Sequence, residues 1–439
     1  MMGAEEADAG GMRRAGEPGA AGRGDTAGGR VRRVLARSLE PYADVFRVRR
    51  AWRFSAAGLI GRMPMAMLGL GTVLLISAAT GRYGVAGSVS AAGSIGYAIC
   101  APQSARLVDR YGQRRVLRPL AAIFAVSTLL LIVTVELGAP SWAFFVPGAA
   151  AGATMPSLGS MVRARWSALL TGSPRLHAAF SFESVADEVC FIVGPAAVTL
   201  LATEVYPAAG VGAAAALCLA GTLWFAAQRD TEPPPAGRPS PADAVSRRGR
   251  LAAPGLLVLV PVYVFLGAMF VGIDLSTVAF AQHFGHKPLA GFILGSYALG
   301  SATGGLWYGS RHWRAPVERR FAITLALTVG GVGTFWAQPN LVSLTCVIYL
   351  CGLTIAPTLI AGFSLVDAQA LPGRNTEAMS WLSTGISIGV AAGATAAGFI
   401  VDAAGARWGY GFAASCGGAS VLFCLAGLRR LNVGAATPQ

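Results

Sequence analysis

Ser104-Ala105-Arg106-Leu107-Val108-Asp109-Arg110-Tyr111-Gly112-Gln113-Arg114-Arg115 separates two apolar runs, residues 86–103 and 119–136, and its reading decides the fold. Each run approaches the roughly 20 residues a helix needs to cross a hydrocarbon core of about 30 Å at 1.5 Å per residue. A dozen residues with four arginines and one aspartate cannot lie in that core, so the stretch reads as a turn between two membrane helices. Gly112 supplies the positive φ that lets the chain reverse. Asp109, at the end of the preceding helix, is placed to latch onto a helix N-terminus or an arginine elsewhere.

The same alternation extends in both directions. The 439 residues are 54% hydrophobic and 13% charged, against about 25% charged in soluble domains. Twelve apolar spans are expected, at 54–76, 86–103, 119–136, 142–162, 178–202, 207–227, 254–280, 289–309, 321–337, 341–366, 377–401 and 408–428. Residues 1–50 read as a disordered basic tail with an interfacial helix near Leu39 to Val48, and 431–439 as a short C-terminal tail. Residues 51–227 and 253–430 then form two six-helix halves, joined by a linker at 228–252 rich in proline and arginine. No cleavable signal pattern precedes the first span.

The formal net charge of +14 is explained by topology. With the N-terminus inside, 31 of the 35 Lys and Arg residues fall before span one, in alternate loops or after span twelve. The other loops hold Arg82, Lys287 and Arg407, and Arg62 lies within a span. Basic residues mark the cytoplasmic side, so both termini are expected there, in a cytoplasmic (inner) membrane, and nucleic acid is not an expected partner. Seven scattered cysteines and four histidines lack metal-ligand spacing, so no metal or other cofactor is expected. Neither a P-loop nor a nucleophile elbow occurs, so the chain reads as neither an ATP-driven pump nor an enzyme.

An internal repeat accompanies the count. Ala86-Gly87 and Gly96 lie on Ala290-Gly291 and Gly300 at an offset of 204; Ala153-Thr154-Met155-Pro156-Ser157-Leu158 resembles Thr354-Ile355-Ala356-Pro357-Thr358-Leu359; Gly194 lies on Gly393. Matches in the same order support duplicated halves, whose relative rocking would expose a central site alternately to the two sides.

On these residues the chain resembles the major facilitator superfamily over residues 50–430. Asp109, Arg110, Gly112, Arg114 and Arg115 fill the places of that family's signature loop, although its opening glycine is replaced by Ala105 or a neighbour. The resemblance implies the major facilitator fold, an all-α membrane protein of twelve helices in two halves related by a pseudo-two-fold axis. Gly194-Pro195 in span five is similar to the core of the motif that marks antiporters, without its flanking glycines; an ordinary proline kink is the competing reading. Span four lacks the arginine of drug-proton antiporters, whose place falls near Gly148.

Charges within the spans are the candidates for coupling. Span five carries Glu183, Asp187 and Glu188, where the repeat has Leu382, Ile386 and Ser387. A charge at mid-membrane costs roughly 2.5–3.5 kcal/mol even on insertion scales, so partners, protonation or a wet cavity are required. Arg62 and Asp187 sit at similar depths, roughly 12 and 14 Å from the basic side. Glu183 and Asp187 share a face, and Glu188 lies about 100° further round. One carboxylate then pairs with Arg62 while another takes and releases a proton; a permanent structural salt bridge is the alternative. Asp274 reads either as an outer gate or as a solvated group, and Glu377 and Asp402 as ordinary helix-end residues. The function expected is secondary active transport, with proton-coupled export of a small hydrophobic compound by a monomer. Uptake of a small solute and a non-transporting membrane sensor or assembly factor are the alternatives.

Overall fold

The computed structural model describes residues 42–48, 50–235, 255–286, 289–311, 313–371 and 373–431. The expected N-terminal tail before residue 42, most of the linker and the C-terminal tail after 431 lie outside the described residues, as do Lys287 and His312.

The described chain is helical. The helices are α1 (Ala51–Arg62), α2 (Pro64–Thr80), α3 (Tyr83–Tyr111), α4 (Gln113–Glu136), α5 (Phe145–Thr154), α6 (Leu158–Leu169), α7 (Arg175–Leu200), α8 (Ala209–Ala227), α9 (Leu256–His283), α10 (Leu289–Gly309), α11 (Val317–Val332), α12 (Leu341–Gly352), α13 (Ile355–Gln369), α14 (Asn375–Ala404) and α15 (Ala406–Ala426). Taking α1 with α2 and α12 with α13, eleven helical segments are long and apolar enough to cross a membrane. Large apolar side chains such as Ile99, Val126, Phe191, Phe292, Val342, Phe399 and Leu422 are exposed, as suits helices that face lipid.

The expected fourth span is not one continuous helix. Its chain runs as α5, an extended break at Met155-Pro156-Ser157, then α6. A residue before proline is driven from the helical region and proline itself donates no hydrogen bond; Met155 accordingly adopts φ −63°, ψ 120°. The helix also runs past the expected end at 162, to Leu169. Arg163 and Arg165, expected in a loop, are therefore buried inside the bundle. Pro357 causes no such break, because it sits in the first turn of α13, where its missing N–H has no intrahelical partner to lose.

Packing falls into two sets. In the first, α3 packs on α5, α4 on α8, α1 on α8, and α2 on α3 and α7; in the second, α10 packs on α12, α11 on α13 and α15, and α9 on α14 and α15. The sets meet through α3 with α14, α7 with α10 and α13, and α6 with α14. Glycine permits the closest approaches: a Cβ on Gly152 would lie 1.8 Å from the Gly93 carbonyl oxygen, and one on Gly304 would lie 1.9 Å from that of Leu353.

Residues 42–46 are helical, but they do not lie free at a membrane interface as expected. Val45 and Tyr42 are buried, and the Tyr42 hydroxyl donates to the Leu306 carbonyl at 2.7 Å, tying the chain before α1 to the second set.

Candidate functional site

Four charged side chains meet inside the first set. Pro64 at the N-terminus of α2 interrupts the first span just after Arg62, which is 3% exposed. From α1 the guanidinium reaches α7, with Nη2 donating to Glu183 Oε2 at 2.5 Å and Nη1 standing 3.0 Å from Asp187 Oδ1. The second contact lacks hydrogen-bond alignment and acts as an ion pair only. From α6, Arg163 Nη2 donates to Asp187 Oδ2 at 2.8 Å. The break at Pro156 allows this, because it redirects the chain so that Gly159, in the first turn of α6, lies against both guanidinium groups and Asp187.

The group is closed on itself. Glu183 Oε1 also accepts from Ser55 Oγ at 2.5 Å and from Trp166 Nε1 at 3.0 Å, and the carboxylate is wholly buried. Two arginines and two acids sum to zero, which removes most of the cost of holding charge at that depth. The accessible member is Asp187, whose side chain is 23% exposed. Arg163 also lies over the Phe363 ring of α13 at 4.2 Å, a cation–π contact to the second set.

Sequence reasoning paired Arg62 with one carboxylate and left another free. The structure engages Arg62 with both Glu183 and Asp187, and brings in Arg163 as well. Hydropathy alone leaves Arg163 out, because a charge ends an apolar span; the spacing of Gly159, Arg163 and Trp166 along one helical stretch is the signal that places it. Glu188 stands apart: Ser301 Oγ of α10 donates to its Oε1 at 2.6 Å, and no cation pairs with it among the described residues. Asp274 of α9 is exposed and has neither ion pair nor hydrogen bond there. Gly194 packs on α2, where a Cβ would meet Ala66 at 2.9 Å, and Pro195 follows it within α7.

A second constellation closes the face carrying the basic loops. Gly112 adopts φ +91°, ending α3 so that Asp109 accepts from the backbone N–H groups of Thr376 at 3.3 Å and Glu377 at 2.9 Å. These are orphan donors of the α14 N-terminus, whose partial positive charge favours a carboxylate. Glu377 is no ordinary end residue: its largely buried carboxylate accepts from Arg106 and Arg374 at 2.7–3.0 Å. Arg110 and Arg115 are exposed, and Arg110 lies over the Tyr111 ring. The Arg114 backbone N–H donates to Glu232 at 2.9 Å, which caps α4 from the start of the linker. Asp367 of α13 accepts from Ser167, and Ser181 donates to the Gly305 carbonyl. Asp402 is exposed. No group of three potential metal ligands occurs among the described residues.

The sequence profile of the Major Facilitator Superfamily matches residues 54–376. No curated protein is significantly similar in sequence. Among solved structures, the human organic anion transporter MFSD10 (TETRAN) is similar at TM-score 0.63 and 18% identity, covering 87% of this chain and 99% of its own. A bacterial homologue of the iron transporter ferroportin, in an outward-facing state, is similar at TM-score 0.67 and 15% identity with the same coverage. The E. coli fucose:proton symporter gives 0.62 at 16% identity, covering 85% and 98%. At such identities the likeness is one of fold, and all three are transporters. With eleven long apolar helices among its described residues and its match to the family profile, this chain belongs to the Major Facilitator Superfamily: it is a multi-pass membrane protein of secondary transport, not an enzyme.

Proposed function

We propose that the protein is a proton-coupled exporter of a small, largely hydrophobic compound, working as a monomer by alternating access, with both termini on the cytoplasmic side of the inner membrane. The reading takes Ser141–Leu169 as a twelfth, broken span and the two packing sets as six-helix halves related by a pseudo-two-fold axis. Packing supports it, since α3 on α5, α4 on α8 and α1 on α8 correspond to α10 on α12, α11 on α15 and α9 on α15. The contacts between sets are related in the same way, α3 with α14 answering α10 with α7. Residues 51–227 and 253–430 are the halves in this reading, joined by the 228–252 linker.

The observation that carries the coupling is the hydrogen bond from Ser301 to Glu188, which joins the two sets through a carboxylate that has no cation. An uncompensated charge at mid-membrane is costly, so proton uptake relieves Glu188, the one such acid whose bond crosses between the sets. A protonated Glu188 loses its charge-assisted bond across the interface, which links proton occupancy to how the sets pack. Arg62, Glu183 and Asp187, with Arg163, hold the first set in shape, with Asp187 its accessible edge. Asp109, Arg110, Gly112, Arg114 and Arg115 form the gating loop, with Asp109 the latch of the closed basic face. Gly194 and Pro195 keep α7 close to α2 during movement, and Asp274 gates the outer half of the pathway.

The test is accumulation of a panel of lipophilic compounds in a host lacking its own exporters. The protein should lower accumulation, a protonophore should abolish the effect, and Glu188→Gln should lose it at matched membrane expression. Full export by Glu188→Gln refutes coupling at this residue, and raised accumulation by the native protein refutes the direction.

A further inference from the structure

We propose that the space between the two sets binds a monovalent organic cation with an apolar body, held by Asp274 and Glu188 with help from the Tyr297 hydroxyl. The inference rests on the reading of that space as the transport pathway and names the class of compound it takes.

The charge pattern is asymmetric. In the four-charge group each carboxylate has an arginine within 3.0 Å. Glu188 and Asp274 have none among the described residues, so the intervening space carries two negative charges that the described chain leaves uncompensated. Asp274 and Tyr297 lie at corresponding depths. Asp274 lies nine residues before the end of α9 and Tyr297 eight residues after the start of α10, or about 14 and 12 Å from the same side. Ser301, which holds Glu188, is one turn below Tyr297 on the same face of α10. Helices α9 and α10 are in contact, and Tyr297 is near enough to Asp274 and Glu188 to feel both charges.

Tyr297 supplies the second, independent sign of a ligand. It is 8% exposed, and its hydroxyl oxygen is buried without any hydrogen-bond partner. A buried tyrosine hydroxyl ordinarily finds a partner. Here it lies within the field of two acids, and its oxygen is free to accept from an ammonium N–H. Phe270, one turn before Asp274 on the same face, offers an aromatic wall of the kind that attracts organic cations. A metal ion fits less well, since the described residues offer no group of three acidic, histidine or cysteine ligands. An anion would meet two negative charges, and the arginines nearby are already neutralised.

The experiment is equilibrium binding of radiolabelled tetraphenylphosphonium to the purified full-length protein in nanodiscs. Radiolabelled tetraphenylborate, of the same shape and opposite charge, is measured in a separate sample, since the two ions pair when mixed. Saturable binding of the cation is expected, and none of the anion. Asp274→Asn and Glu188→Gln should each weaken binding by about tenfold or more, the scale of one lost ionic contact, while Asp274→Glu should keep most of the affinity. Equal saturable binding of tetraphenylborate, or native affinity in an Asp274→Asn protein of unchanged melting temperature, overturns the proposal. Because binding needs no proton gradient, cation binding without proton-driven flux in vesicles leaves this inference standing and refutes the proposed coupling. Proton-driven flux of a neutral compound, with no tetraphenylphosphonium binding, does the reverse.

Discussion

Replacing Asp109 with alanine should unlatch the basic face. The side chain accepts two backbone N–H groups at the start of α14, at 2.9 Å from Glu377 and 3.3 Å from Thr376. A hydrogen bond to a charged group contributes about 1.5–3 kcal/mol net; the shorter bond counts near the middle of that range and the longer near or below 1. The neighbouring Arg106 to Glu377 pair survives the substitution, but the Arg106 side chain is 56% exposed, so solvent keeps its contribution under about 1 kcal/mol. The loss is therefore about 2–3 kcal/mol of closed-state preference, or roughly a 30- to 150-fold change in the equilibrium. A population held at about 99:1 closed would fall to about 3:1 or lower. Spin labels at the exposed positions 115 and 311, one on each set, report the change by double electron–electron resonance, in a background with the exposed Cys346 replaced by serine. A second, longer distance population is expected in Asp109→Ala and not in Arg110→Ala, whose side chain lies over Tyr111 alone. An Asp109→Ala distribution that matches the parent refutes the latch.

Three further outcomes follow from the packing. Arg62→Met leaves Glu183 buried without its cation, at a cost of about 3–5 kcal/mol; thermal unfolding in detergent should show a large loss that Arg62→Met with Glu183→Met does not double, and strict additivity would contradict a coupled pair. Gly152→Ala forces a methyl against the Gly93 carbonyl, whereas a Cβ at Gly87 meets nothing within 4 Å; the first should lose about 1–3 kcal/mol or more and the second almost nothing, read as melting temperature and yield of folded protein. Arg165→Met removes the donor to Gln113, Thr231 and the carbonyls of Phe225 and Gln228, at a cost of at least about 3 kcal/mol; unchanged thermal stability would show that these groups find other partners.

The spans were legible because the membrane imposes a coarse rule, about twenty apolar residues between polar turns, and the Gly112 turn could be seen for the same reason. The broken fourth span was less legible. Hydropathy registers Met155-Pro156-Ser157 as apolar enough to continue, and only the backbone restriction of Pro156 and its preceding residue reveals the break. That error propagated to the site. Ending the span at 162 put Arg163 and Arg165 into solvent, although each is at most 3% exposed. Depth arithmetic could bring Arg62 and Asp187 to one level, since helical rise is fixed. Which neighbour each charge chooses depends on helix rotation and on contacts far apart in sequence, such as Arg106 with Glu377, and hydropathy carries no record of those.

Where the charges sit relative to the two packing sets separates structural from switching roles. Every ion pair among Arg62, Arg163, Glu183 and Asp187 lies within the first set, so a rigid rotation of one set against the other leaves those bonds intact. A group whose partners never change has no reason to exchange protons with the cycle. The contacts that must break are those that cross, among them Asp109 with the start of α14, Arg106 with Glu377, Ser167 with Asp367, Ser301 with Glu188, Arg163 with the Phe363 ring, and Tyr42 with the Leu306 carbonyl. Four of these carry an acid, and Asp109, Asp367 and Glu377 lie near helix ends on the basic face. Asp109 lies at the end of α3 and accepts from two backbone donors, each of which favours the carboxylate; Glu188 lies deep with a single hydroxyl donor and no cation among the described residues, so a proton relieves a buried charge and weakens one bond across the interface. A repeat that builds two similar halves but places Leu382, Ile386 and Ser387 opposite Glu183, Asp187 and Glu188 thus puts the chemistry in one half and its release in the other. In the proposed cycle the second set responds to occupancy at Glu188 through Ser301, and the neutral four-charge group supplies the rigid frame against which that response is felt.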